Sequence, residues 1–488
     1  MVNAYISICR FSRLNARTIT YTGLAPESNP PTTQAPRAFS SLASKTALLH
    51  QFPTTQFTVL KNNVRVATQK TPGQSASVAL FVDGGSRFDT FETSGAANLL
   101  ARVSLLGTTT RPGHAFLQEA DAAGIQLRAS VDRETTVFQA HCVGKKSGHA
   151  VQLLADAVCN ATLGDAEFAS AQAGVQREIA AQDGNHAQLV MDMLHATAYS
   201  DTTLALPPIG SEVTVAALQP AHLRAEKRFH YTGQHVVVVG TGDVDHGALV
   251  REVEAALGAL PAESPVPVVR PPVVFTGSDV RQRNDDQATT HIAYAFPTGG
   301  ALDSHSAALQ VAGQLVGGSW TSAQLPTFQS QVLLDVIGDK MGTQANSVQA
   351  FHHQYSDTGL FGVYAATTDQ YAVKALSHSI TDGFVNLSNE IDPPALYEAK
   401  LHLARQLLAN IDSPSHQALE IGRQLLQLGR RVHPVETVAR IDAVDGGAIK
   451  AAMREYCNDK CHALAAHGQT WELMDYNWWR RLSYSLRY

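Results

Sequence analysis

Residues 75–107 read SASVALFVDGGSRFDTFETSGAANLLARVSLLG, and residues 289–318 read TTHIAYAFPTGGALDSHSAALQVAGQLVGG. Each is a short apolar run, a pair of glycines, and then apolar residues at helical spacing. A short apolar run closed by a Gly turn reads as a buried strand, and the spacing after it as an amphipathic helix. The same order and size occurring twice in one chain points to an internal duplication. Between the copies lies PAESPVPVVRPPVV (261–274), whose prolines suit a linker and not a strand or helix.

The segments around the first copy fill out one α+β unit. QFTVLKNNVRVATQ (56–69) alternates about an Asn-Asn turn and predicts a hairpin. Thr93 or Ser94 is the expected cap of a helix running to about Leu106. HAFLQEADAAG (114–124) predicts a helix closed by Gly124, and IQLRASVDRETTVFQAHCV (125–143) a second hairpin. Helical periodicity covers 146–163 and 165–198, then HVVVVGTG (235–242) reads as a strand and 246–258 as a helix. After the linker, YSDTGLFGVYAAT (355–367) reads as a strand, 370–390 and 393–430 as helices, and 446–467 as a helix and strand. The expected organisation is a segment 1–50, a first domain 51–258, a linker 259–275 and a second domain 276–488. Each domain is expected to be a mixed sheet with helices packed on one face.

Composition narrows the function classes. The 488 residues carry a formal charge of −6, with 37 basic and 43 acidic side chains. No basic stripe marks a nucleic-acid footprint. Five cysteines, Cys9, Cys142, Cys159, Cys457 and Cys461, are too sparse for a disulfide framework and fit a reducing compartment. No apolar run is long enough to span a bilayer. Residues 1–82 contain one acid, Glu27, and Arg10, Arg13 and Arg17 lie among Ser, Thr and apolar residues. That pattern resembles a mitochondrial transit peptide, followed by the Pro-rich spacer 25–37; an ordinary basic tail is the alternative. GTGDVD (240–245) lacks the third glycine of a dinucleotide loop and reads as a strand-to-helix turn with an Asp cap. No P-loop and no GxSxG occurs.

A distinctive set of segments falls in order along the chain: DGGSRFD (83–89), the frame GxxxLLxxxxxxGT (95–108), QREIAAQ (176–182), LHATAYSDTTLALPPIG (194–210), FTGSDVRQRNDD (275–286), YSDTGLFGVY (355–364), IGRQLLQLGRR (421–431) and DYNWWRRLSYSLR (475–487). Together they resemble the insulinase/pitrilysin superfamily. Most similar is its mitochondrial branch, the processing-peptidase subunits and the core proteins of ubiquinol–cytochrome c reductase, on the β-type or core-protein-I side. The resemblance implies two homologous α+β domains in a clamshell.

Active members carry HxxEH on one helix. Residues at i, i+3 and i+4 share a helix face, so two His ligate zinc, the Glu acts as base, and a Glu from another helix completes the site. By the resemblance, Asn98 and Arg102 stand at the two His positions, Ala101 at the base, and Glu178 at the distal ligand. Arg has no lone pair to offer and repels a dication, and Ala takes no proton from water. The expectation is therefore no catalytic residue, no metal and no cofactor, with Arg102 pairing to Glu178 in the cation's place. None of the 20 His has a second His three or four residues away to stand in.

The resemblance implies a structural core subunit of respiratory complex III, peripheral on the matrix side of the mitochondrial inner membrane. Its implied partners are a core-protein-II-like subunit, cytochrome b and cytochrome c1. The alternative is a non-catalytic subunit of a presequence-processing peptidase heterodimer. Acidic walls in the cleft would favour that reading, since presequences are basic. The tail WELMDYNWWRRLSYSLRY (471–488) gathers Tyr476, Trp478, Trp479, Arg480 and Arg481, residue types of binding hot spots. It either packs on its own domain or docks on a partner or lipid surface.

Overall fold

A computed structural model describes residues 53–182, 184–321 and 345–483. The transit-like segment 1–50, with Cys9, lies outside the described residues. Residues His50–Tyr488 form one compact unit.

Two six-stranded sheets make up that unit. The first contains β1 (Gln56–Val59), β2 (Arg65–Lys70), β3 (Ser75–Val82), β4 (Gln126–Val131), β5 (Thr136–Val143) and β6 (Val236–Gly242), in the order β1-β2-β6-β3-β5-β4. The second contains β7 (Asp279–Arg283), β8 (Thr290–Gly299), β9 (Ser319–Thr321), β10 (Ala345–Gln354), β11 (Thr358–Thr367) and β12 (Ala463–Gly468), in the order β7-β12-β8-β11-β10-β9. In the first, β2 runs parallel to β6, and β6, β3, β5 and β4 follow antiparallel. In the second, β7 runs parallel to β12, and β12, β8, β11 and β10 follow antiparallel. Five strands of each sheet thus match in connectivity and direction, as a duplication requires. From Pro261 to Ser278 the chain has no regular structure.

The two faces of each sheet are covered differently. On one face of the first, Val78, Leu80, Val236 and Val238 pack with Leu99, Leu100 and Leu154 from its own helices. On the other face Ala79, Phe81, Val237 and Val239 meet Ala418, Ile421 and Leu425 of the helix Pro414–Gln427, which belongs to the second half. The second sheet mirrors this. Ile292, Tyr294 and Phe296 face their own helices, and Ala293, Ala295, Ala463 and Ala465 face Val190, Leu194 and Ala198 of the helix His186–Ala198 from the first half. Each half therefore lends one helix to the other's sheet. That exchange explains why the central strands are apolar along their whole length: both faces are buried. Gly422 allows the close approach, since a Cβ there would lie 2.1 Å from the Phe81 ring.

Two local expectations are corrected. The helical stretch 165–198 is two helices, Asp165–Gln182 and His186–Ala198. Asn185 starts the second by accepting a hydrogen bond from the Gln188 N–H. The helix Ala96–Ser104 is not capped by Thr93 or Ser94. Gly95, in the left-handed region at φ 93°, precedes it, and the Asp89 carboxylate reaches back to accept from the Gly95 and Ala97 N–H groups.

Candidate functional site

Between the halves lies a cleft of about 810 Å³. Its walls are the β4–β5 hairpin, the helices Asp165–Gln182 and His186–Ala198, the end of β10, and the exchanged helix Pro414–Gln427. Asn98 and Arg102 open into it from the helix Ala96–Ser104, and Glu178 faces them. Arg102 and Glu178 form a direct ion pair, with the Arg102 Nε 3.5 Å from the Asn98 Oδ1. The guanidinium thus fills the space between the two helices. Ala101 does not share the cleft: it is 1 % exposed and belongs to the first hydrophobic core.

Four carboxylates and four arginines line the cleft. Besides the Arg102–Glu178 pair, Asp132 lies 2.9 Å from Arg423 and Asp192 lies 2.8 Å from Arg133. Glu134 is held at 2.7 Å by the buried Arg87. Every acid on these walls is neutralised by a guanidinium, so the cleft offers no acidic wall to a basic peptide. Its histidines are uncharged. His195 is bonded through Nδ1 to the Met191 carbonyl at 2.7 Å and through Nε2 to the Tyr355 hydroxyl at 2.8 Å. Burial, with Arg133 nearby, holds its pKa well below the ordinary range. Burial also pushes His352 and His353 down to about 4. Among the described residues no group of three His, Cys, Asp or Glu side chains is arranged to hold a metal ion.

Beside the cleft Arg87 ties the chain together. It is fully buried, donates from Nη1 to Glu134 at 2.7 Å, and clasps Asp357 through both terminal nitrogens at 2.8 and 2.6 Å. Its Nη2 also donates to the Pro271 carbonyl at 2.8 Å. The Ser356 N–H and hydroxyl donate to Glu134 at 3.0 and 2.7 Å. One guanidinium therefore joins the first half, the linker and the second half. Sequence reading quoted both partner segments, DGGSRFD and YSDTGLFGVY, but nothing in either says that they meet.

Much of the tail packs on its own domain, one of its two expected alternatives. Trp479 is fully buried in the second core, 4.7 Å from the Tyr294 ring. Tyr476 stacks on His462 at 4.4 Å and donates to its carbonyl, and Arg480 pairs with Asp459 at 2.7 Å. These three are spent on their own domain, because the helix Tyr476–Leu482 lies against the second core. Arg481 is exposed, and Trp478 is half-buried against His378.

Comparison with known proteins supplies the family. Residues 65–212 match the insulinase (peptidase family M16) model, and residues 217–403 match the peptidase M16 inactive domain. The chain belongs to the insulinase family, peptidase family M16. It is 33% identical to the probable mitochondrial-processing peptidase subunit beta of Arabidopsis thaliana, over 89% of this chain and 82% of that protein. It is 30% identical to the human cytochrome b-c1 complex subunit 1, over 99% of both chains. A chain in the structure of Complex III2 from Candida albicans, Inz-5 bound, superposes with a TM-score of 0.80, covering 88% of this chain and 100% of that one at 24% identity, a likeness of fold. Two family domains, each a mixed sheet with helices, thus account for the architecture.

Proposed function

We propose that this chain is a non-catalytic core subunit of the mitochondrial ubiquinol–cytochrome c reductase, resembling core protein I. The observation that carries this reading is the Arg102–Glu178 ion pair where active relatives would place zinc. A guanidinium cannot ligate a metal, and the position of the base is an alanine turned into the core. The relatives named cytochrome b-c1 complex subunit 1 support it, and their mitochondrial designation agrees with the Arg-containing, acid-poor N-terminal sequence. Among the described residues no helix is long and apolar enough to cross a membrane, which suits a subunit held peripherally. On this reading the partners are a core-protein-II-like chain, cytochrome b and cytochrome c1, and the subunit serves assembly on the matrix face.

A second reading, a non-catalytic subunit of a presequence-processing peptidase, draws on the relatives named mitochondrial-processing peptidase subunit beta. The paired carboxylates of the cleft weigh against it, since a basic presequence would have to break ion pairs to bind. Affinity purification of the full chain from mitochondria separates the two. Co-elution with b- and c-type haem is the expected result. A haem-free heterodimer that cleaves presequences would overturn the first reading.

A further inference from the structure

We infer that Arg224, Lys227 and Arg228 form a binding site for a phosphate group, carried either as a free anion or on a lipid headgroup, in the first half of the chain and apart from the vestigial cleft. The helix Pro220–His230 places the three residues at i, i+3 and i+4, so the cations share one helix face. They line a pocket of about 550 Å³ together with Thr109, Thr162 and Gly164. None of these residues belongs to the cleft around Arg102 and Glu178.

The cations are held in place but not neutralised. Lys227 Nζ donates to the Cys159 carbonyl at 2.9 Å, and Arg224 Nη2 donates to the Leu163 carbonyl at 3.1 Å. A backbone oxygen thus fixes each side chain and leaves its charge uncompensated and most of its donors free. Arg228 is exposed. Among the described residues none of the three forms an ion pair with a carboxylate. Asp165 and Glu167 follow Gly164 in the first turn of the helix Asp165–Gln182, yet they pair with none of them. A cation suits the last turn of a helix, which accounts for Lys227 and Arg228 one at a time. It does not account for Arg224, since like charges at i and i+4 repel, a cost that a bound anion removes. Burial lowers the Lys227 pKa, as it does for an ammonium drawn into a pocket wall with no carboxylate beside it. Thr162 lines the same pocket, and its hydroxyl is buried with no hydrogen-bond partner. Two guanidinium forks and an ammonium match a doubly charged tetrahedral oxyanion better than a single carboxylate. Thr109, Arg224 and Arg228 are exposed, so an ester carried by the phosphate has room to point to solvent.

The full chain, desalted into phosphate-free buffer, is titrated with inorganic phosphate by calorimetry. In parallel it is sedimented with vesicles of phosphatidylcholine alone or mixed with phosphatidylglycerol. One phosphate bound per chain assigns a free anion, and sedimentation with the mixed vesicles only assigns a headgroup; either result supports the site. Arg228→Gln, at an exposed position with no hydrogen bond or ion pair to lose, should weaken that binding about tenfold, as expected for one charge-assisted hydrogen bond. Arg224→Gln and Arg228→Gln together should abolish it while leaving the circular dichroism unchanged. Arg405→Gln, an exposed arginine of the helix Pro393–Asn410, should leave it unaltered. Absence of phosphate binding together with vesicle binding that is absent or equal for the two compositions would overturn the proposal, as would binding that survives intact in the double variant.

Discussion

Replacing Arg87 by Met removes a buried side chain that joins the first half, the linker and the second half. Glu134 is 5 % exposed and would keep only its hydrogen bonds from Ser356. Leaving a buried charge without its partner costs about 3–5 kcal/mol. An unfolding entropy of about 2.1 cal/mol/K per residue over about 440 residues is ~0.9 kcal/mol/K, so Tm should fall by about 3–5 °C if the unit melts as one. Arg87→Lys should recover part of this, because an ammonium keeps the charge but cannot grip Asp357 with two nitrogens. The loss should also depend on pH. The hydrogen bond from Arg87, more than its Coulomb attraction, holds the Asp357 carboxyl below the ordinary range. A depressed carboxyl contributes stability that is present above its unfolded pKa and lost as pH falls through the folded one. The gap between wild type and Arg87→Met should therefore be full near pH 7 and shrink below about pH 4. Differential scanning calorimetry at pH 7 and pH 3 measures both. A Tm unchanged within 1 °C at pH 7, or an equal gap at both pH values, would refute the reasoning.

Three further outcomes follow from the geometry. Gly422→Ala drives a methyl into the Phe81 ring and should cost about 1–3 kcal/mol by chemical denaturation, since the obstacle lies between an exchanged helix and a packed sheet. Burial raises the carboxyls of both Asp89 and Glu226, and the neighbouring Glu226 raises Asp89 further. A raised carboxyl stabilises below its unfolded pKa and loses that contribution as pH rises, so Glu226→Gln should melt higher than wild type at pH 7, with the difference vanishing toward pH 4. With Asn98→His and Arg102→His introduced together, Glu178 becomes the third ligand, and calorimetric titration should detect one bound Zn²⁺ that the unaltered chain does not bind at that site. Peptidase activity should stay absent, because Ala101 offers no base.

The exchanged helices mark where legibility ended. Continuous apolar runs such as VALFV and VVVVG announced buried strands. Nothing local says that the helix covering the far face comes from the other half, several strands away in sequence. The same limit held at the cleft. The loss of zinc chemistry could be read from the residue types at 98, 101 and 102, because a guanidinium cannot ligate whatever surrounds it. The Arg102–Glu178 pair, expected from the resemblance, is present, whereas the turn of Ala101 into the core depended on how the helices pack. For the tail, composition named the hot-spot residues, but Trp479 went to the second core, its ring 4.7 Å from that of Tyr294.

By itself the sequence determined the duplication, the strand and helix periodicities, the Pro-rich junction and the absence of an HxxEH pair. These are short-range properties, set by alternation, capping and the chemistry of single side chains. Tertiary structure alone decided which helix covers which sheet and how Arg87 joins three segments. Those contacts join residues far apart in the chain, and their pairing is fixed by the packing of two sheets and two exchanged helices, which no local pattern encodes.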